Sequence, residues 1–191
     1  EKDGFKNLII SQAKADPFGV VRIWSLLEDK YGYLWIGTWG SGLLQTRLLE
    51  NSIQYIDHYY YGSDKQARNL GDNIIFSIKQ TEDNAIWVGE SRGLNIITNP
   101  YEKNTEILMF SEEDSKSQIS KSEVYDIFQD VSGSMWLATM GGGVNKVDLK
   151  RNRFERFKIF DSNSELNSQI VNSLLPVSAS EHLVGVRGMG I

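Results

Sequence analysis

The chain has 191 residues, of which 40% are apolar and 24% charged, a balance that excludes a disordered segment and supports a sizeable core. Lys and Arg total 20 against 25 Asp and Glu, so the net charge is −5, with no basic stripe to suit a nucleic-acid backbone. There is no cysteine, no run of eighteen apolar residues, and no signal-peptide pattern at Glu1-Lys2-Asp3-Gly4, so no disulfide, membrane span or export signal is read from this stretch.

Short strands separated by turns follow one another along the chain. Phe5 to Ile10 reads as the last strand of a preceding unit. Ile23 to Glu28 alternates and runs into the tight turn Asp29-Lys30-Tyr31-Gly32; Leu34 to Thr38, Leu43 to Arg47 and the aromatic-rich Ile53 to Tyr59 come next. The same order recurs with Ile75 to Gln80, Ile86 to Glu90, Leu94 to Thr98 and Ile107 to Phe110. Its turn carries Asn84 where the others carry glycine, and Asn also tolerates the left-handed conformation. A third round uses Val124 to Gln129, the turn Asp130-Val131-Ser132-Gly133, Met135 to Thr139, Val144 to Asp148 and Phe154 to Phe157. A fourth begins at Ser173-Leu174 and reaches Gly190-Ile191, where its third strand is due. Polar loops such as Ser111 to Ser120 and Asp161 to Asn167 join the rounds.

The rounds superpose without gaps from the first strand through the second. Trp35, Trp87, Trp136 and Leu183 occupy one position, spaced by 52, 49 and 47 residues. Two residues on stand Gly37, Gly89, Ala138 and Gly185, and a glycine then precedes an aliphatic residue at Gly42, Gly93, Gly143 and Gly190. Four antiparallel strands in a tandem repeat of this period describe a β-propeller blade, whereas helical solenoids would need apolar residues at 3.6 spacing. The recurring Trp fills the space between blades, and the small residue after it lets neighbouring sheets approach. The expected architecture is therefore all-β: a propeller fragment with about three complete blades and partial blades at both ends. Its boundaries are 1–20 for an end strand and loop, 21–72, 73–121 and 122–168 for three blades, and 169–191 for the start of a fourth.

Asp29-Lys30-Tyr31-Gly32-Tyr33-Leu34-Trp35-Ile36-Gly37-Thr38 resembles the two-component regulator propeller repeat, as do Ile86-Trp87-Val88-Gly89, Met135-Trp136-Leu137-Ala138-Thr139 and Gly142-Gly143-Val144. Copy four, His182-Leu183-Val184-Gly185, has lost the Trp. The resemblance implies the periplasmic sensor region of a hybrid two-component histidine kinase from a glycan-degrading gut bacterium. It further implies an oligosaccharide ligand, with membrane helix, kinase and output domains elsewhere in a parent receptor.

Positions that recur are assigned to structure: Trp35, Trp87, Trp136, Gly37, Gly89, Gly42, Gly93 and Gly143. Positions that vary are the candidates for function. Trp39, whose equivalents are Ser91, Met140 and Arg187, sits beside a Gly-rich turn, and with Arg92 and Arg187 offers the aromatic plate and cations that meet a sugar. Arg22 and Glu123 enter the innermost strands where the central channel opens, either to bind a hydroxyl or to pair across blades. Trp24, with equivalents Phe76, Tyr125 and Asn172, is weighed towards packing, and Tyr59-Tyr60-Tyr61 towards covering an edge.

No catalytic or metal constellation is read. His58 and His182 lack ligand partners at suitable spacing, and Glu112-Glu113-Asp114 looks solvated. The leading expectation is a non-enzymatic sensor segment without cofactor that binds a glycan-derived oligosaccharide. The alternative is a structural or protein-interaction propeller that pairs through blade edges, for instance as a homodimer. A sialidase-like enzyme ranks third, because the Asp-box of that family has shorter spacing than Asp-x-x-Gly-x-x-Trp and the Arg cluster is not evident.

Overall fold

The computed structural model describes residues 10–11, 22–50, 52–62, 68–113, 119–121, 123–148, 153–157, 170–178 and 181–187. Among these there is no helix. The strands are β1 (Ile10–Ser11), β2 (Ile23–Glu28), β3 (Tyr33–Thr38), β4 (Leu43–Leu48), β5 (Ile53–Tyr59), β6 (Ile75–Gln80), β7 (Ile86–Glu90), β8 (Gly93–Thr98), β9 (Glu106–Phe110), β10 (Val124–Gln129), β11 (Met135–Thr139), β12 (Gly143–Asp148), β13 (Arg153–Phe157), β14 (Val171–Pro176) and β15 (His182–Val186). β2 to β5, β6 to β9 and β10 to β13 each form an antiparallel four-stranded meander, and β14–β15 is a hairpin that repeats the first half of one. The innermost strands β2, β6, β10 and β14 pack in succession, so the sheets lie face to face as propeller blades.

Of the strand read at Phe5 to Ile10, all but Ile10 lies outside the described residues; Ile10–Ser11 pair in parallel with Ile53–Gln54 of β5 and extend the outer edge of the first sheet. The loop Asp161 to Asn167 and Gly190-Ile191 also lie outside the described residues.

The core sits between the blades. Trp35, Leu43 and Tyr59 of the first blade meet Ile75, Ile86, Val88 and Ile97 of the second. Trp87, Leu94 and Ile96 of the second meet Val124, Ile127, Met135 and Leu137 of the third. Phe128, Ala138 and Val144 of the third meet Val171 and Leu174, with Trp136 only partly buried beside them. The residue after each Trp-x is small because the next blade approaches there. A Cβ on Gly37 would run into Ser25 Oγ and stand 2.8 Å from Ile75 Cγ2. Gly42 has φ +74 and lies against the carbonyl of Tyr59, so both its conformation and the space exclude a side chain.

The Asp-x-x-Gly-x-x-Trp motif is a clamp. Asp29 Oδ1 accepts from the Tyr31 and Tyr33 amides, each at 2.9 Å, and Oδ2 accepts from Trp35 Nε1 at 2.8 Å. Asp130 repeats this with the Ser132 and Ser134 amides and with Trp136 Nε1. One carboxylate thus closes the turn and fixes the inter-blade Trp. Burial works to raise the Asp130 pKa, but the hydrogen bonds from Ser132, Trp136 and Ser134 outweigh it and hold the carboxyl below its ordinary value. In the second blade Thr81 replaces the Asp, and its hydroxyl bonds to Asp83 and to the Ala85 carbonyl.

Candidate functional site

Each innermost strand starts with the same irregularity. Pairing skips between Ile23 and Ser25, Ile75 and Ser77, Val124 and Asp126, and Val171 and Ser173. The bulged residues are Trp24, Phe76, Tyr125 and Asn172, and a bulge re-aims the side chain it carries. Three of them form an aromatic row across successive blades. Trp24 and Phe76 ring centroids are 6.2 Å apart, edge to face, and Phe76 stacks on Tyr125 at 4.4 Å.

Trp39 completes the row. It lies 5.1 Å from Trp24 and 6.0 Å from Phe76, and its amide donates to the Arg22 carbonyl at 2.8 Å. Phe76 is buried, whereas Trp24 is 55% and Trp39 42% exposed, so the first blade presents two indole faces on a supported base. At the other end of the row, the Tyr125 hydroxyl contacts Met140 Sδ at 3.6 Å. Burial, the largest cause, and the Glu123 carboxylate raise the Tyr125 pKa, and Arg187 pulls it down.

Four of the five varying residues singled out in the sequence belong to one end of the innermost strands: the Trp39 amide donates to the Arg22 carbonyl on the first blade, the Glu123 carbonyl accepts from Met140 on the third, and the Arg187 amide donates to the Ile170 carbonyl on the fourth. Arg92 is not brought to the row. Its guanidinium lies 6.0 Å from the Tyr61 ring and lines a separate cavity of about 400 Å³ with Leu70 and Phe110. Arg22 and Glu123 do not pair with each other; the ion pairs among the described residues are Arg68–Asp57 and Lys121–Glu112. Trp24, weighed towards packing, does pack on Trp39 and Phe76, and is also 55% exposed.

The described residues hold no group of three His, Cys, Asp or Glu arranged for a metal. His58 Nε2 is 2.6 Å from the Ser41 carbonyl, and burial lowers its pKa. His182 lies 5.0 Å from Trp136 and 5.4 Å from Phe128, as an interior ring.

Residues 17–40, spanning the first strand, the Asp turn and Trp35, match the two component regulator propeller family. The chain is similar to the extracellular domain of BT3049 of B. thetaiotaomicron, assigned as a hybrid two-component system, with 23% identity and a TM-score of 0.63 over 88% of this chain and 19% of that one. It is similar to the extracellular domain of BT4673 of the same organism, assigned as a one-component system, with 19% identity and a TM-score of 0.65 over 87% of this chain and 22% of that one. Virginiamycin B lyase from Staphylococcus aureus shares the fold at 14% identity and a TM-score of 0.54, covering 85% and 48% of the two chains. No curated protein matches. The chain spans about a fifth of the two extracellular domains, and at these identities the likeness establishes the propeller fold.

Proposed function

We propose that this regulator-propeller segment belongs to the extracytoplasmic sensor of a two-component system and recognises a glycan-derived oligosaccharide through the aromatic row. The observation that carries the reading is the exposed Trp24–Trp39 pair, backed by Phe76 and followed along the row by Tyr125 with Glu123 and Arg187. Indole faces suit the apolar C–H faces of sugar rings, and the flanking charges suit hydroxyls, which is the mixed lining of an orienting site. The regulator-propeller repeat and the two extracellular domains of similar fold support the sensor setting. The segment contributes binding, not catalysis; a kinase would lie elsewhere in the receptor. Binding transmits a signal if it favours one packing of blades or subunits over another.

Calorimetric titration of the intact ectodomain with a panel of oligosaccharides tests the reading. Binding that is lost in Trp24→Ala and Trp39→Ala is expected. A folded ectodomain that gives no heat with any glycan rejects it.

The interaction-propeller reading keeps one observation of its own. Ile23 and Leu26 are 54% and 60% exposed, while their equivalents Ile75, Val124 and Val171, and Ile127 and Leu174, are buried against the preceding blade. That face is built to receive another blade, from the same receptor or from a second copy.

A further inference from the structure

A second cavity, of about 470 Å³, opens at the opposite end of the strands, between the first and second blades. It is lined from one side by Tyr31 of the β2–β3 turn, Tyr33 at the start of β3 and Arg47 near the end of β4. From the other side come Asn84 of the β6–β7 turn and Tyr101 and Glu102 of the β8–β9 loop. We infer that this cavity is a saccharide-binding site, distinct from the aromatic row and independent of the function proposed for it.

The repeat itself supplies the first argument. Tyr31 stands where the other two blades have Asp83 and Ser132, Tyr33 where they have Ala85 and Ser134, and Arg47 where they have Thr98 and Asp148. Asn84 stands where they have Gly32 and Gly133. Four departures from a repeating scaffold converge on one cavity. Neither the blade fold nor the turn needs them, since the other copies form both without them.

Chemistry supplies the second. The Tyr31 and Tyr101 rings meet edge to face at 4.6 Å, and Tyr33 stacks on Tyr101 at 5.5 Å. Tyr101 is fixed in place: its hydroxyl donates to Asp29 Oδ2 at 2.7 Å and accepts from Gln80 Nε2 at 2.9 Å. The Arg47 guanidinium lies 4.6 Å from the Tyr33 centroid. Asn84 is held at φ 72, and its Oδ1 is a buried acceptor with no hydrogen-bond partner. Rigid aromatic faces beside an amide acceptor, a carboxylate and a guanidinium are the complement of a polyhydroxylated ring. The size lies within the ~300–1,000 Å³ of small-molecule sites. A phosphate or other strong anion does not suit it, because Glu102 and Asp83 outnumber Arg47.

The test uses substitutions already tolerated by the scaffold. The full chain is titrated with maltose, cellobiose, lactose and chitobiose by ligand-observed NMR, with a proline-rich peptide as a second probe for an aromatic groove. At least one disaccharide is expected to bind, weakened about tenfold in Asn84→Gly and in Tyr31→Ser, which restore residues found in the other blades and so preserve the fold. Val131→Ala, at an exposed turn of the third blade, should leave that binding intact. The inference is overturned if no disaccharide binds, if the peptide binds in their place, or if Asn84→Gly and Tyr31→Ser bind as tightly as the parent. Loss in Trp39→Ala alone would assign the sugar to the aromatic row instead.

Discussion

Glu90 offers a measurement of how a departure from the repeat is tolerated inside the stack. Its equivalents are Thr38 and Thr139, whose hydroxyls donate to the Gly42 and Gly143 carbonyls at 2.7 and 2.8 Å and so answer themselves within the turn. Glu90 is 1% exposed, and its Oε2 has no hydrogen-bond partner. Burial is the main cause that pushes its pKa from 4.5 to about 7; Asn95 and the Asp72 and Gly71 backbone oppose the rise, and the Asp72 charge adds to it. The unfolded chain releases this proton near 4.5 and the folded one near 7, so the folded state holds more protons between those values. Its contribution to stability is therefore fully present below the unfolded value and disappears as pH rises through 7. The loss totals about 3 kcal/mol, at a slope approaching ~1.4 kcal/mol per pH unit. Glu90→Gln removes the charge and Glu90→Thr restores the repeat residue. Urea unfolding followed by Trp fluorescence, from about pH 5 to about pH 8, should show wild type falling relative to both variants. Parallel stability curves for wild type and Glu90→Gln would refute the argument.

Three other outcomes follow from the same geometry. Asp29→Ala strips the acceptor from two turn amides, from Trp35 Nε1 and from the Tyr101 hydroxyl, and should cost on the order of 3 kcal/mol in urea unfolding. Gly37→Ala drives a methyl towards Ser25 and Ile75 and should cost about 1–3 kcal/mol, read as a lower thermal midpoint. Ile23→Lys with Leu26→Lys places charges on the exposed inner-strand face, and light scattering should show any self-association of the parent chain reduced in the double variant.

The blades were legible because their signals are local and recur. Strand and turn propensities at β2, β6 and β10 predict those strands to the residue, and Asn84 indeed takes positive φ. The inter-blade positions of Trp35 and Trp87 follow from their period. The partial exposure of Trp136 does not, because it depends on what the hairpin β14–β15 brings against it. The bulge that opens every inner strand was invisible, since it changes pairing and not composition. It decides the site, because it turns Trp24, Phe76 and Tyr125 into a row. Tyr101 was equally out of reach: it approaches Asp29 across 72 residues of chain, and no spacing rule foretells that contact.

Residues that break the repeat stand on both sides of the Trp strand: Trp39 after it, Tyr33 at its start, and Tyr31 and, in the second blade, Asn84 in the turn before it. A repeat that can form its blade with Gly or Ser at a position does not require Tyr or Asn there, although Tyr33 and Tyr101 also pack against the inter-blade core. At Glu90 the departure carries a cost, because a buried carboxylate replaces a self-sufficient threonine. At Trp24 and Trp39 it leaves indoles in solvent. The first two blades carry most of these departures at both ends of their strands, and so recognition is expected to concentrate at the seam between them.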